Sequence, residues 1–202
     1  MDADYSVELG PTAPALEIPW QDPEGQLHFV DLRSGPGSIE TNVEHNVEHI
    51  PEARQFPALR RFLVELNSPS SGWQTAKCDV WNGETEAAEN LYDAAFAQGC
   101  YVDIVFAGKF ATLREDLEVH RHMAKAIAQS LDKNEALEAS CEIVVRRCYF
   151  HRSPDAIAME VSDNGYCLTL FITGYGASPS SALLSWEHAM DSAAACLLEL
   201  RH

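Results

Sequence analysis

Apolar residues follow two rhythms along this chain of 202 residues. Between Pro57 and Leu66 they recur at helical spacing, with Pro57 in the first turn, where its missing N–H costs nothing. That predicts a short helix ended by Asn67-Ser68-Pro69. Period-two alternation over Gln26–Leu32 predicts a strand stopped by Ser34-Gly35-Pro36-Gly37, with a loop running on to Pro51. Further strands are predicted at Thr75–Trp81, Tyr101–Ala107, Cys141–Phe150, Ala156–Val161 and Cys167–Thr173, the last two joined through Asp163-Asn164-Gly165, a tight-hairpin signal. Residues 84–98 are Ala-rich and predict a helix.

Residues 99–131 and 165–197 align without a gap at an offset of 66. Both stretches read as a strand bounded by glycines, Gly108 over Gly174, followed by a helix. Thr112 lies over Ser178 as N-cap, the first with Glu115 as a capping box and the second with Pro179 at the first helical position. Leu117, Ala124, Ile127, Ala128 and Leu131 lie over Leu183, Met190, Ala193, Ala194 and Leu197, giving both helices an inward stripe. The same alignment would turn 84–98 into a strand. The pattern predicts an α+β fold: a mostly antiparallel sheet with long helices, 112–131 and 179–200, on one face, and an internal duplication of a strand-helix unit. The halves run over about 73–133 and 139–202 of a domain spanning 54–202.

Charge changes the picture at the N-terminal end. Residues 1–53 hold eleven acids against Arg33 alone, a net of −10 within a total of −17, and Pro11, Pro14, Pro19 and Pro23 break any helix there. This predicts an acidic, Pro-rich arm laid over the domain, or an acidic surface that docks a basic protein. The same charge argues against nucleic acid and anionic membranes as partners, since both need clustered Lys and Arg. No apolar run reaches the length of a membrane span, and an acidic N-terminus does not fit a signal peptide. Six cysteines without a CxxC pair suit buried, reduced thiols. Together these predict a cytoplasmic location.

Candidate chemistry is sparse. Val43-Glu44-His45-Asn46-Val47-Glu48-His49 contains HxxEH, which resembles the zinc motif of the inverzincin proteases; the resemblance covers five residues and would make His45 and His49 ligands and Glu48 the base. The stretch is also a tandem copy of Asn-Val-Glu-His, which generates HxxEH automatically, between Gly35-Pro36-Gly37 and Pro51. We therefore read it as a polar loop, with a metal site as the alternative. His120 is expected inward, and His122 and His188 outward. Gly174-Tyr175-Gly176 before a helix start reads as a structural turn, Cys148 near His151 as a buried thiol beside a loop histidine, and Trp73, Trp81 and Trp186 as packing residues. No cofactor is predicted. The expectation is a non-enzymatic interaction or regulatory protein, of the immunity or adaptor kind; the alternative is a small metal-dependent hydrolase built on His45, Glu48 and His49.

Overall fold

A computed structural model describes residues 1–21, 28–33, 43–84, 92–134, 137–151 and 162–200. It combines helices and strands around one mixed six-stranded sheet. The strands are β1 (Asp2–Glu8), β2 (Leu16–Ile18), β3 (Trp73–Glu84), β4 (Phe96–Phe106), β5 (Ala139–His151) and β6 (Ser162–Gly176). Their order is β1-β5-β6-β4-β3; β3/β4, β4/β6 and β5/β6 run antiparallel, and β1 and β2 both add parallel to β5. The helices are α1 (Val43–Asn46), α2 (Pro51–Gln55), α3 (Pro57–Leu66), α4 (Leu117–Leu131) and α5 (Pro179–Glu199), with 3-10 turns at Val47–His49 and Gly108–Glu115. No helix among the described residues is long and apolar enough to cross a membrane.

Alternate residues of the strands and the apolar stripes of the helices meet in one core. Cys100, Val102 and Ile104 of β4, Cys141, Ile143 and Val145 of β5, and Leu168, Leu170 and Ile172 of β6 lie against Phe62, Leu63, Ile127, Trp186 and Met190. The α4 helix packs on β1 and β5, α5 on β4 and β6, and α3 on α5 and β3. In α3, Ala58, Leu59, Phe62, Leu63 and Leu66 are all buried, as the spacing requires. Its end is fixed by Asn67, fully buried, whose Nδ2 donates to Leu63 O (2.8 Å) and Thr75 Oγ1 (2.7 Å) and whose Oδ1 accepts from Thr75 N (3.1 Å). That joins the helix to β3 where Ala76 bulges between Thr75 and Lys77.

Several expectations need correction. The acidic segment supplies β1, where Ala3 and Tyr5 turn to the core while Asp2, Asp4, Ser6 and Glu8 share the other face. Residues 28–32 form no strand; instead Arg33 donates to Ser71 O (3.2 Å) and Trp73 O (2.6 Å), and Gln74 Nε2 donates to Asp31 Oδ1 (3.1 Å), so this segment lies along the start of β3. Residues 96–98 belong to β4 rather than a helix, and 85–91 lie outside the described residues. Asp163, Asn164 and Gly165 sit inside β6, opposite Phe150, Tyr149 and Cys148, not in a turn; the strand expected at 156–161 lies outside the described residues. Gly165 serves close approach, because a Cβ there would stand 2.8 Å from the Phe150 ring and 2.9 Å from Arg114 O. The fourth helix starts at Leu117, not 112: Asp116 is its N-cap, accepting from Val119 N (3.1 Å), and Thr112 lies in the preceding 3-10 turn. Ser178 caps α5 as expected, accepting from Ser181 N (3.2 Å), with Pro179 in the first turn. Gly108 follows β4 whereas Gly174 lies within β6, so these two glycines occupy different surroundings.

Candidate functional site: the second face of the sheet

The loop expected over the HxxEH motif is a helical turn. Val43 and Val47, four apart, are buried, while His45 and His49 face out with their rings edge to face at 5.5 Å. Glu48 pairs with Arg60, whose Nη2 lies 2.9 Å from Glu48 Oε1 and 2.6 Å from Glu44 Oε2. Among the described residues, no three His, Cys, Asp or Glu side chains converge as a metal site. His49 lines a cleft of about 310 Å³ with Trp20, His28, Glu52, Lys77 and Cys78. Within it, Trp20 stacks on His28 (5.4 Å) and the Lys77 ammonium lies 4.6 Å from its ring.

The remaining histidines and thiols also resolve. His120 is buried, its Nδ1 2.7 Å from Asp116 O and its ring edge-on to Phe106; burial pushes its pKa down. His122 and His188 are exposed, and Leu117 and Leu183 are only half-buried. All six cysteines are free. Burial raises the Cys148 thiol, the reverse of what a nucleophile needs, and His151 Nε2 lies 3.5 Å from Glu17 Oε2.

The face of the sheet opposite α3, α4 and α5 carries the unusual chemistry. In register from β1 to β3, one row reads Asp4, Glu142, Phe171, Tyr101, Asp79. The row toward the chain's β1 start reads Asp2, Ser140, Thr173, Gly99, Trp81, and the row on the other side reads Ser6, Val144, Thr169, Asp103, Lys77. Acids thus flank two aromatic rings, Tyr101 and Phe171, whose centroids lie 6.1 Å apart. Trp81 is 43% exposed and lies over the backbone of Gly99. Arg146, paired with Glu8 at 3.1 Å, holds its guanidinium 5.2 Å from the Phe171 ring. At this end the strands bound a trough of about 650 Å³, lined by Trp81, Glu84, Ala97, Ser140, Glu142 and Phe171 among others.

No family model, curated protein or solved structure matches the chain.

The other end of the same face is closed. Leu16 and Ile18 of β2, with Phe29, cover Val105, Cys148 and Cys167. Between the two ends lies a buried polar row. Thr169 Oγ1 donates to Asp103 Oδ1 at 2.5 Å, and Arg146 Nη1 lies 3.5 Å from the same hydroxyl. Burial pushes the Asp103 carboxyl above its usual range, opposed by the Thr169 hydrogen bond, Arg146 and Lys77. A raised folded-state pKa means the folded protein holds this proton more tightly than the unfolded chain. That contribution is fully present below the unfolded carboxyl range, around pH 4, and is lost as pH rises through the folded value. Replacing Asp103 by Asn should therefore melt progressively higher relative to the parent as pH rises from 4 to 8. Thr169→Val, which removes the donor to the charged form, should cost about 1–3 kcal/mol, most at the higher pH. Thermal unfolding across that range checks both; parallel curves for all three proteins would remove the assigned role of Asp103.

Sequence reasoning did not single out Phe171, Tyr101, Glu142 or Asp79, and it read Trp81 as packing. One signal was present: in β3 the alternation puts Lys77, Asp79 and Trp81 on one side, so a tryptophan shares its face with charges.

Proposed function

We propose that this chain is a non-enzymatic interaction or regulatory protein that engages a basic protein partner through the open end of its second sheet face. The observation that carries this is the row Asp4, Glu142, Phe171, Tyr101, Asp79, in which exposed acids surround aromatic surface. Exposed aromatic area supplies affinity at low entropic cost, and surrounding charge of one sign steers and selects an opposite partner. The formal charge of −17 adds long-range attraction for the same class of partner. The choice of this face over the rest of an acidic surface rests on the rings.

We also read the two halves as copies of one unit. Support comes from register: Asp103 pairs with Thr169, and the two are 66 apart in sequence, so a two-fold axis relating positions at that offset would pass between them. Each half would then be a β-hairpin followed by a helix, with the N-terminal segment closing one end of a face whose equivalent end is open.

The test is titration of the full chain with a short oligo-arginine peptide by calorimetry. Reversing Glu142 and Asp79 to Lys should abolish binding at moderate salt with little change in melting temperature, while Glu118→Lys on the exposed side of α4 should reduce it only slightly. Equal loss from both changes would mean binding tracks total charge, and the face would lose its assignment.

A further inference from the structure

We infer that a hollow on the helix-bearing side of the sheet is a binding site for one small, uncharged aromatic molecule of the size of benzene or toluene. It is separate from the acidic face and does not rest on the reading above. The hollow holds about 150 Å³. Its deepest walls are Trp73 and Phe106, both buried, with rings stacked at 4.7 Å, and nearer solvent stand Phe110, Leu113, Met123 and Leu200, all half-buried. These side chains come from β3, β4, the second 3-10 turn, α4 and the residue after α5, and all belong to or pack on the main core. Apart from the Trp73 indole N–H, none carries a polar group.

The lining fixes the chemistry of the guest. Trp73 Nε1 already donates to Leu197 O (3.0 Å), Gly72 O accepts from Ala107 N (2.8 Å), Phe106 O accepts from Arg114 Nε (2.7 Å) and Phe110 N donates to Ala107 O (3.1 Å). Water, which needs two to four polar partners to settle in such a place, finds these groups paired. A charged or hydroxylated guest would lose hydration with nothing to replace it. An apolar molecule loses none, and a dry apolar cavity of roughly 150 Å³ accommodates one benzene ring. Three aromatic side chains and a thioether line the space, and both kinds of group attract an aromatic guest beyond the area it buries. One wall also depends on a glycine. The Phe110 ring lies against Gly72, where an added Cβ would stand 2.7 Å from ring Cδ2, and the Lys109 ammonium lies 4.9 Å from the same ring. A side chain at position 72 would therefore displace Phe110.

The experiment is titration of the full chain with toluene, followed by NMR of labelled methionine methyl groups. Met123 lines the hollow, whereas Met190 is fully buried in the core and does not, so the first reports the site and the second the fold. The Met123 signal should shift saturably, with one toluene bound per chain, while the Met190 signal holds. Phenol, which carries a hydroxyl where toluene has a methyl, should bind at least tenfold more weakly. Leu113→Phe, which fills the hollow from its rim, should weaken toluene binding at least tenfold, and Gly72→Ala, which displaces the Phe110 wall, at least threefold. The comparison of toluene with phenol uses the parent protein alone, so it decides the matter even where a variant does not fold. A Met123 signal unmoved up to the solubility limit of toluene, a shift shared equally by Met190, phenol binding as tightly as toluene, or a folded Leu113→Phe protein that binds toluene unchanged would each overturn the inference.

Discussion

Deleting Asn46–His49 should cost the fold about 3 kcal/mol or more, which for a chain of this size lowers the melting temperature by roughly 6–12 °C. The sequence alone suggests the opposite, because one unit of a tandem repeat in a polar loop is dispensable and loop-closure entropy changes little with length. The structure reverses this. Val43 and Val47 are both buried in the main core, and Asn46 Nδ2 lies 3.4 Å from both Asp31 O and Leu32 O, tying the turn to the segment along β3. The two units are identical, so the shortened chain keeps one Asn-Val-Glu-His before Ile50; when that copy takes the Asn46–His49 place, the Val43 place in the core is emptied and one of the two carboxylates on Arg60 is lost. The exposed pair contributes little, and the lost valine with its turn of helix carries the cost. Urea unfolding of the deletion, of Val43→Ala and of His45→Ala/His49→Ala separates the causes. Val43→Ala should account for a large part of the loss and the double histidine change for almost none. A parent that melts markedly lower in chelator, with the histidine variant already low and indifferent to it, would overturn this account and favour a metal site.

The same stretch shows what the sequence did and did not disclose. Val43, Val47, Ile50 and Ala53 recur at helical spacing, so the signal for a helical turn was present, hidden by attention to the polar letters between them. The β1 strand was legible in the same way. Asp2 to Glu8 alternates strictly, with Ala3 and Tyr5 inward, and its acids lie on a sheet face. Dense charge predicts an arm laid over the domain, whereas over these residues it marks one side of a strand. Thr112 misled for a different reason. A capping box specifies a helix start only when the following apolar residues keep helical period, but Phe110 and Leu113, three apart, both pack on the core, the spacing of a 3-10 turn. The start then moves to Asp116. The α3 and α5 helices were readable because caps and apolar stripe agree. The candidate site was not, because it is assembled across five strands whose register no local pattern encodes.

The second large effect belongs to Gly174. Replacing it by Ala should destabilise the protein by about 3 kcal/mol or more, above the usual range for one methyl, because the obstacle is backbone. An added Cβ would stand 2.1 Å from Trp186 N and 2.6 Å from Ala182 O, both in α5. Neither atom can rotate away as a side chain does, so the helix must lift or β6 must bend. Lifting α5 would disturb Trp186, Ala189, Met190 and Ala193, all fully buried, and the packing of α3 against α5. Bending β6 would strain its ladders to β4 and β5 on both sides, where Gly174 pairs with Gln98 and Ala139. Because β6 is central, neither response is confined to an edge. Gly83→Ala in β3 provides the control, since nothing lies within 4 Å of its added Cβ, and it should change stability by less than about 1 kcal/mol. Denaturant unfolding of the two variants reads the contrast directly; a Gly174→Ala protein as stable as the parent would mean that α5 does not approach the sheet as closely as the structure places it.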